Sequence, residues 1–388
     1  MPWKHASLAG ERLTFVIAAL DKSRPLTVLC EEFGVSTKTG YKWLKRYLEQ
    51  GPEGLSDQSR RPRRSPKQIT QDWLDEILAV RTKEPTWGGK KIHAELRSKY
   101  PRRKIPKIRT IDKWLSKLGK TRKRRSRAKK GPGLPPTTTV PNKSNDMWTV
   151  DFKGRFQTKD NQRVDPLTVR DHYSRYILGI DIQQGQKESS VRKYMCRLFK
   201  TYGLPRSILV DHGVPFSAVG ALDLSRLSVW WIRLGIRVEF TRKRYLNDNA
   251  AHEQMHRVYK AEVLRVASAN PLALQKKTNR WVKKYNFKRP HESLNQQRPA
   301  QLYRKSRRRY KAVAATIDYP AWWECRIVNP SGYISWRARK RVVGRAFAGL
   351  LIGLKPISGS HHEVYFEKQL IGTMHESDKG GMRPARWA

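Results

Sequence analysis

Between Lys120 and Lys143 the chain cannot bury enough apolar surface to fold by itself. A run of cations (Arg122, Lys123, Arg124, Arg125, Arg127, Lys129, Lys130) gives way to a Gly-, Pro- and Thr-rich stretch from Gly131 to Pro141. The sequence on either side must therefore fold as separate bodies, and a linker is expected over 121–143. The positive excess is not local: 81 Lys and Arg stand against 33 Asp and Glu, a net charge of +48. Such a chain repels itself unless it meets a polyanion, which makes nucleic acid the expected partner. With 38% hydrophobic residues and 13 Trp among 388 residues it still has material for real cores, so a wholly disordered polycation is excluded. An anionic membrane is the second polyanion to weigh. No stretch reaches the roughly 18 apolar residues a span requires, and the N-terminus lacks the apolar core of a signal peptide. The three cysteines, Cys30, Cys196 and Cys325, show no CxxC spacing, which suits a reducing interior.

Upstream of the linker the pattern is helical. Residues 26–33 have apolar side chains at helical spacing and stop at Gly34, Ser36 is placed as an N-cap, and a basic helix is expected from Thr37 to Glu49. Helix, glycine turn and capped basic helix make a helix-turn-helix, assigned to 8–58. On its second helix Tyr41, Leu44 and Leu48 are expected to be buried, leaving Lys38, Thr39, Lys42 and Arg46 as the candidate groove-facing set. Residues 59–66, basic and broken by Pro62 and Pro66, read as a linker and a phosphate-contacting arm. A second helical DNA-binding unit is expected over 66–120, with one helix opening at Gly88 and another running from Lys107 to Leu118.

Downstream, 144–305 alternates strand and helix signals. Residues 148–153 carry apolar side chains at every second position with Asp151 on the opposite face, 167–169 and 176–180 continue a sheet, 190–202 reads as a helix, and 208–210 is a buried strand ending at Asp211. This is an α/β arrangement with a mixed sheet. The segment 311–375 is strand-rich with regular glycine punctuation and is expected to form a small β-barrel, its interior filled by tryptophans such as Trp322, Trp323 and Trp336, with His361 and His362 at the surface.

Three carboxylates stand out in so basic a chain. Asp151 and Asp211 end strands, and Glu253 lies near the start of a helix over 251–266, on a face shared with Arg257 and Lys260 and separate from most of the apolar stripe of Met255, Val258, Tyr259 and Leu264. Converging at a sheet end, these acids would hold two hard divalent cations through oxygen. Such a pair, roughly 3.5–4 Å apart, activates the attacking hydroxyl and stabilises the leaving oxygen in phosphodiester chemistry.

These residues sit in segments that resemble a known family. The stretches 148–154 (WTVDFKG), 171–176 (DHYSRY), 210–216 (VDHGVPF) and 252–257 (HEQMHR), with Tyr285, Asn286 and 289–294 (RPHESL) downstream, are similar to the integrase catalytic core of DDE transposases, most of all the IS481 branch of the IS3-like bacterial elements. Residues 34–46 and 51–62 resemble the N-terminal helix-turn-helix region of such proteins. The resemblance implies a ribonuclease-H-like catalytic core, Asp151, Asp211 and Glu253 as the metal-binding triad for Mg2+ or Mn2+, two ions per site, and contact of Arg257 and Lys260 with DNA. It further implies an insertion-sequence transposase of the bacterial cytoplasm, associated with the nucleoid, that binds terminal inverted repeats of double-stranded DNA and cleaves and joins strands as a homo-multimer. The chain departs from the family in having His212 after the second Asp, Ala250 before the helix, and no proline within 243–248.

Two other readings compete. Residues 252–256 spell H-E-x-x-H, which on a helix would set two imidazoles around zinc with Glu253 as the base of a metalloprotease. That reading accounts for neither the charge nor Asp151 and Asp211. The second is a DNA-binding regulator that keeps the helix-turn-helix with a catalytically decayed core.

Overall fold

The computed structural model describes residues 8–58, 69–121, 140–218, 221–242, 249–312 and 317–385. The basic arm at 59–66, most of the 121–143 linker, and the 243–248 loop lie outside the described residues. The chain divides into two compact units, residues 1–68 and 69–388.

The first unit packs α1 (Leu8–Leu20), α2 (Leu26–Glu32) and α3 (Thr37–Gln50) around Phe15, Leu29, Cys30 and Trp43. The punctuation behaves as its chemistry demands. Gly34 takes φ +63°, a left-handed turn that costs a glycine least, and the Ser36 hydroxyl accepts from the Thr39 amide at 3.3 Å. The buried stripe of α3 differs from expectation. Gly40 and Trp43 face the core, whereas Tyr41 and Leu48 are 62% and 67% exposed. The cause is close approach: a Cβ at Gly40 would lie 2.5 Å from Cys30 Sγ and 2.9 Å from the Phe15 ring. The helix therefore seats on its glycine, which turns Tyr41 outward.

In the second unit α4 (Gln71–Lys83), α5 (Gly89–Lys99) and α6 (Ile108–Lys117) enclose Trp73, Ile77, Trp87, Ile92, Ile111 and Leu115. The central sheet comes next in the chain, with β1 (Met147–Phe152), β2 (Phe156–Gln157), β3 (Arg163–Asp171), β4 (Ile177–Gln183), β5 (Ser207–Val210) and β6 (Arg237–Phe240). β3 pairs antiparallel with β1, β2 and β4, while β1, β5 and β6 run parallel to one another, a mixed sheet. Strand alternation sends Trp148 and Val150 to one face, against α7 (Glu188–Tyr202) and α8 (Arg226–Arg233). The other face is covered by α9 (Ala250–Tyr259), a wide π-type turn at Lys260–Leu264, and α10 (Pro271–Phe287), which bury Met255, Tyr259, Val263 and Trp281 against Ile177 and Ile180. Val263 is buried where Leu264 was expected, because the wider turn shifts the helical phase.

The helical unit 69–121 is tied to this face by ion pairs. Glu262, in the wide turn, accepts from Trp281 Nε1 at 2.8 Å and Arg289 at 2.6 Å and bonds Thr86, and Lys90 and Lys284 reach Glu292 and Glu84. After the short α11 (Pro299–Leu302), β7 (Glu324–Ile327), β8 (Tyr333–Trp336), β9 (Arg339–Val342), β10 (Leu351–Ser358), β11 (His361–Phe366), β12 (Gln369–His375) and β13 (Arg383–Pro384) complete the chain. The ladders do not close into the expected barrel. They form an open sheet in the order β13-β12-β11-β10-β7 beside a separate β8–β9 hairpin. Closure is unnecessary here, because the sheet buries its face against the central-sheet body: Phe347, Leu354 and Phe366 join one core with Trp148 and Trp231. Trp336 is buried as expected, whereas Trp322, expected in the interior, is 61% exposed. His362, expected at the surface, is 3% exposed, packed edge-on to Trp336.

Candidate active site

β1 is the buried centre of the sheet, and alternation puts Thr149 and Asp151 on the face toward α9. Asp151 lies opposite Thr168 of β3, and Thr149 opposite Arg170. Asp211 comes directly after the last residue of the parallel neighbour β5 and is exposed, its Oδ1 accepting from the Gly213 amide at 3.0 Å. Glu253 is exposed in the first turn of α9. The three acids come from separate elements, yet they share one electrostatic neighbourhood. The Asp151 carboxyl is pushed up to about 7, first by burial, then by the charge of Asp211, with Glu253 adding to it and Lys153 opposing. A carboxyl crowded in this way ionises fully when a cation offsets its neighbours, so the donor set suits a hard divalent ion.

α9 turns two faces. Glu253 and, at steps of four and three, Arg257 and Lys260 are exposed; His252, Met255, His256 and Tyr259 are buried. The two imidazoles enter a polar pocket in the sheet. Thr168 Oγ1 donates to the Asp151 carbonyl at 2.8 Å and lies 2.6 Å from His252 Nε2 and 2.8 Å from His256 Nε2. His252 Nδ1 lies 2.7 Å from Thr149 Oγ1. Burial first, then neighbouring positive charge, holds His256 down at about 3 and His252 well below its ordinary value, so both rings are neutral near pH 7. Arg170, also buried, donates to the Ala251 carbonyl at 2.7 Å and pins the first turn of α9 to β3.

This geometry corrects the zinc reading. In an H-E-x-x-H site both imidazoles aim at one ion with the glutamate beside them. Here both rings of His252 and His256 converge on a threonine hydroxyl inside the protein, while Glu253 projects outward. Sequence reasoning gave the histidines a role only in that motif and missed Thr149, Thr168 and Arg170. The available signal was their spacing: Thr149 and Asp151 share a strand face, and the two histidines share a helix face.

His212 lies 3.3 Å from Asp223 Oδ2, bonds the Thr241 carbonyl at 2.9 Å and stacks on Phe240. It thereby braces the segment after β5.

In the first unit Lys38 and Lys42 are exposed. Lys42 and Arg46 sit over the Trp43 ring at 4.6 and 5.2 Å, Arg46 donates to Gln58 at 3.1 Å, and the Thr39 hydroxyl is 2.9 Å from that of Ser36. Of the four, Thr39 is thus partly engaged in the cap.

Comparison with known proteins gives four domain matches. Residues 11–63 match a helix-turn-helix domain profile and 39–115 a homeodomain-like domain profile, while 141–245 and 234–299 match two integrase core domain profiles. The chain therefore carries helix-turn-helix and integrase core domains. The integrase core matches fall on the mixed sheet and the helices that cover it. A curated relative, the insertion element IS407 uncharacterized 31.7 kDa protein of Burkholderia multivorans, is 26% identical over 183 residues, 47% of this chain and 61% of the relative. The match spans less than two thirds of that protein. Among solved structures, the chain is similar to the HTLV-2 integrase catalytic core domain in complex with magnesium (TM-score 0.35, 13% identity, 42% of this chain, 100% of that one). It is also similar to a chain of the simian T-cell lymphotropic virus intasome in complex with PP2A regulatory subunit B56 gamma (TM-score 0.39, 15% identity, 71% of this chain, 97% of that one). Among the described residues no helix is long and apolar enough to cross a membrane.

Proposed function

We propose that this protein is the transposase of an insertion sequence, of the IS481 branch of the IS3-like elements, which binds the terminal inverted repeats and joins the element's ends to target DNA. The observation that carries the reading is the shared electrostatic neighbourhood of Asp151, Asp211 and Glu253 in an integrase core domain, on a chain of net charge +48 that also holds helix-turn-helix domains. The insertion-element relative supports it.

In this reading Asp151, Asp211 and Glu253 hold two Mg2+ or Mn2+ ions. The bound cations would supply activation of the attacking oxygen and charge stabilisation on the leaving one. Asp151, set rigidly in the central strand, fixes the position of the site, while Asp211 and Glu253 approach from a strand end and a helix. Arg257 and Lys260, on the Glu253 face of α9, bind the phosphates of the DNA end. Lys38, Thr39, Lys42 and Arg46 serve repeat recognition, with phosphate contacts supplying most of the affinity. Because each site acts on one DNA end, the working form is a homo-multimer holding both ends, in the bacterial cytoplasm and on the nucleoid.

The deciding experiment is strand transfer in vitro with DNA carrying the element's own ends. Asp151→Asn and Asp211→Asn are each expected to abolish joining while gel-shift affinity for the ends is largely kept. Joining at wild-type rate by either variant removes that residue from the catalytic set, and no joining by the wild-type protein with Mg2+ or Mn2+ removes the transposase reading.

A further inference from the structure

Counting protons in the buried pocket fixes which imidazole is still able to bind something. Thr168 has a single hydroxyl proton, and it goes to the Asp151 carbonyl at 2.8 Å. Its oxygen can then only accept from His252 Nε2 at 2.6 Å and His256 Nε2 at 2.8 Å, so both rings carry their proton on Nε2. For His252 the remaining nitrogen is spent, since Nδ1 accepts from the Thr149 hydroxyl at 2.7 Å. For His256 it is not. Nδ1 presents a lone pair toward Asp151 Oδ2 at 3.8 Å, beyond hydrogen-bonding distance, on a side chain only 7% exposed. With Asp151 ionised these are two facing acceptors; Lys153 acts on both through its charge, but among the described residues no hydrogen bond satisfies His256 Nδ1, and a cation between the two would satisfy both.

We infer that His256 Nδ1 is a ligand of the cation held by Asp151, which makes that site a mixed oxygen and nitrogen site, and that His252 is not a ligand. The separation of 3.8 Å is below twice a metal–ligand bond of about 2.1 Å, so one ion is able to touch both atoms. His252 Nδ1 or Nε2, Asp151 and His256 all lie within 4.8 Å of one another, but engagement by the threonines at both ring nitrogens removes His252 from the set. Its part is to orient Thr168, which in turn fixes the tautomer and rotation of His256, the support that ligating histidines usually receive. An imidazole ligand favours Mn2+ over Mg2+ relative to an all-carboxylate site. The inference rests on the acid cluster being a cation site, and the experiment separates the two.

The test is pulsed electron paramagnetic resonance of the full-length protein loaded with Mn2+. The wild-type protein is expected to show a directly coordinated 14N nucleus that becomes 15N when the histidines are 15N-labelled, a measurement that depends on no variant. The coupling should vanish in His256→Asn and persist in His252→Asn, and His256→Asn should bind Mn2+ at least about tenfold more weakly, with a smaller change for Mg2+. If Mn2+ binds in the wild type, is lost in Asp151→Asn, and shows no histidine coupling, the inference is overturned and the acid site stands. Coupling that tracks His252 rather than His256 also overturns it. Mn2+ bound equally well by Asp151→Asn overturns the acid site and this inference together.

Discussion

The two faces of α9 divide the work of the molecule unequally. The outward face, with Glu253, Arg257 and Lys260, is exposed and makes no contribution to the core. The inward face, with His252, Met255, His256 and Tyr259, is buried between sheet and helix. Residues on the outward face are free to serve chemistry, because changing them leaves packing alone. Those on the inward face hold polar atoms away from water, where each one must keep its hydrogen bond or its place near a charge. The difference teaches that a single helix is able to carry an exposed set of charged groups and the buried polar network that seats it, so that changes to Glu253 and to the Thr168 pocket should differ in their effect on stability.

The sharpest way to break this division is Glu253→Gln. It should lower strand transfer by roughly 10³-fold or more, about 4 kcal/mol of barrier, while the unfolding free energy stays within about 0.5 kcal/mol of wild type. A variant that melts early instead would place Glu253 in the fold rather than the site. Next in size is Thr168→Val, which keeps the shape but strips two imidazole N–H groups and the Asp151 carbonyl of their common partner. Denaturant titration should show a loss of roughly 2–4 kcal/mol. Stability unchanged by this substitution would mean that the pocket is wet and the inward face is not a buried network.

A third test of the inward face is pH. The His256 ring sits at about 3 in the folded protein, below its unfolded value, so beneath about pH 6.5 the unfolded chain takes up a proton the folded one refuses. Its stabilising contribution is therefore whole above that pH and is lost as pH falls toward 3, by roughly 2 kcal/mol between pH 7 and pH 5. His252 acts in the same sense, as do His172 and His291, each held at about 3. Asp151 acts in the opposite sense, since its raised carboxyl keeps a proton in the folded state that the unfolded chain releases between about 4 and 7. It offsets about one histidine, so unfolding measured in chelator should show lower stability at pH 5 than at pH 7. Equal or higher stability at pH 5 would show that the α9 histidines are already charged when folded.

Much of this arrangement was legible in local sequence. Gly34 and Ser36 mark a turn and a cap through their own backbone and hydroxyl chemistry, and the alternation around Asp151 placed it on the face opposite Trp148 and Val150. The burial of α3 was not legible, because the choice of Gly40 over Tyr41 depends on Cys30 and Phe15 arriving from other helices. The barrel failed for a similar reason: strand signals do not say whether a sheet closes on itself or finds another body to cover its face.

By itself the sequence pointed to a polyanionic partner, through charge, and determined the kinds of element that carry Asp151, Asp211 and Glu253, through periodicity, since both properties belong to the chain whatever its path. Only the tertiary structure decided that Asp211 and Glu253 act on the charge of Asp151, and that the H-E-x-x-H histidines are buried against Thr168 while Glu253 is exposed. Electrostatic neighbourhood and hydrogen-bond partnership depend on distances between residues remote in sequence, such as the 2.7 Å from Thr149 to His252, and no local pattern encodes them.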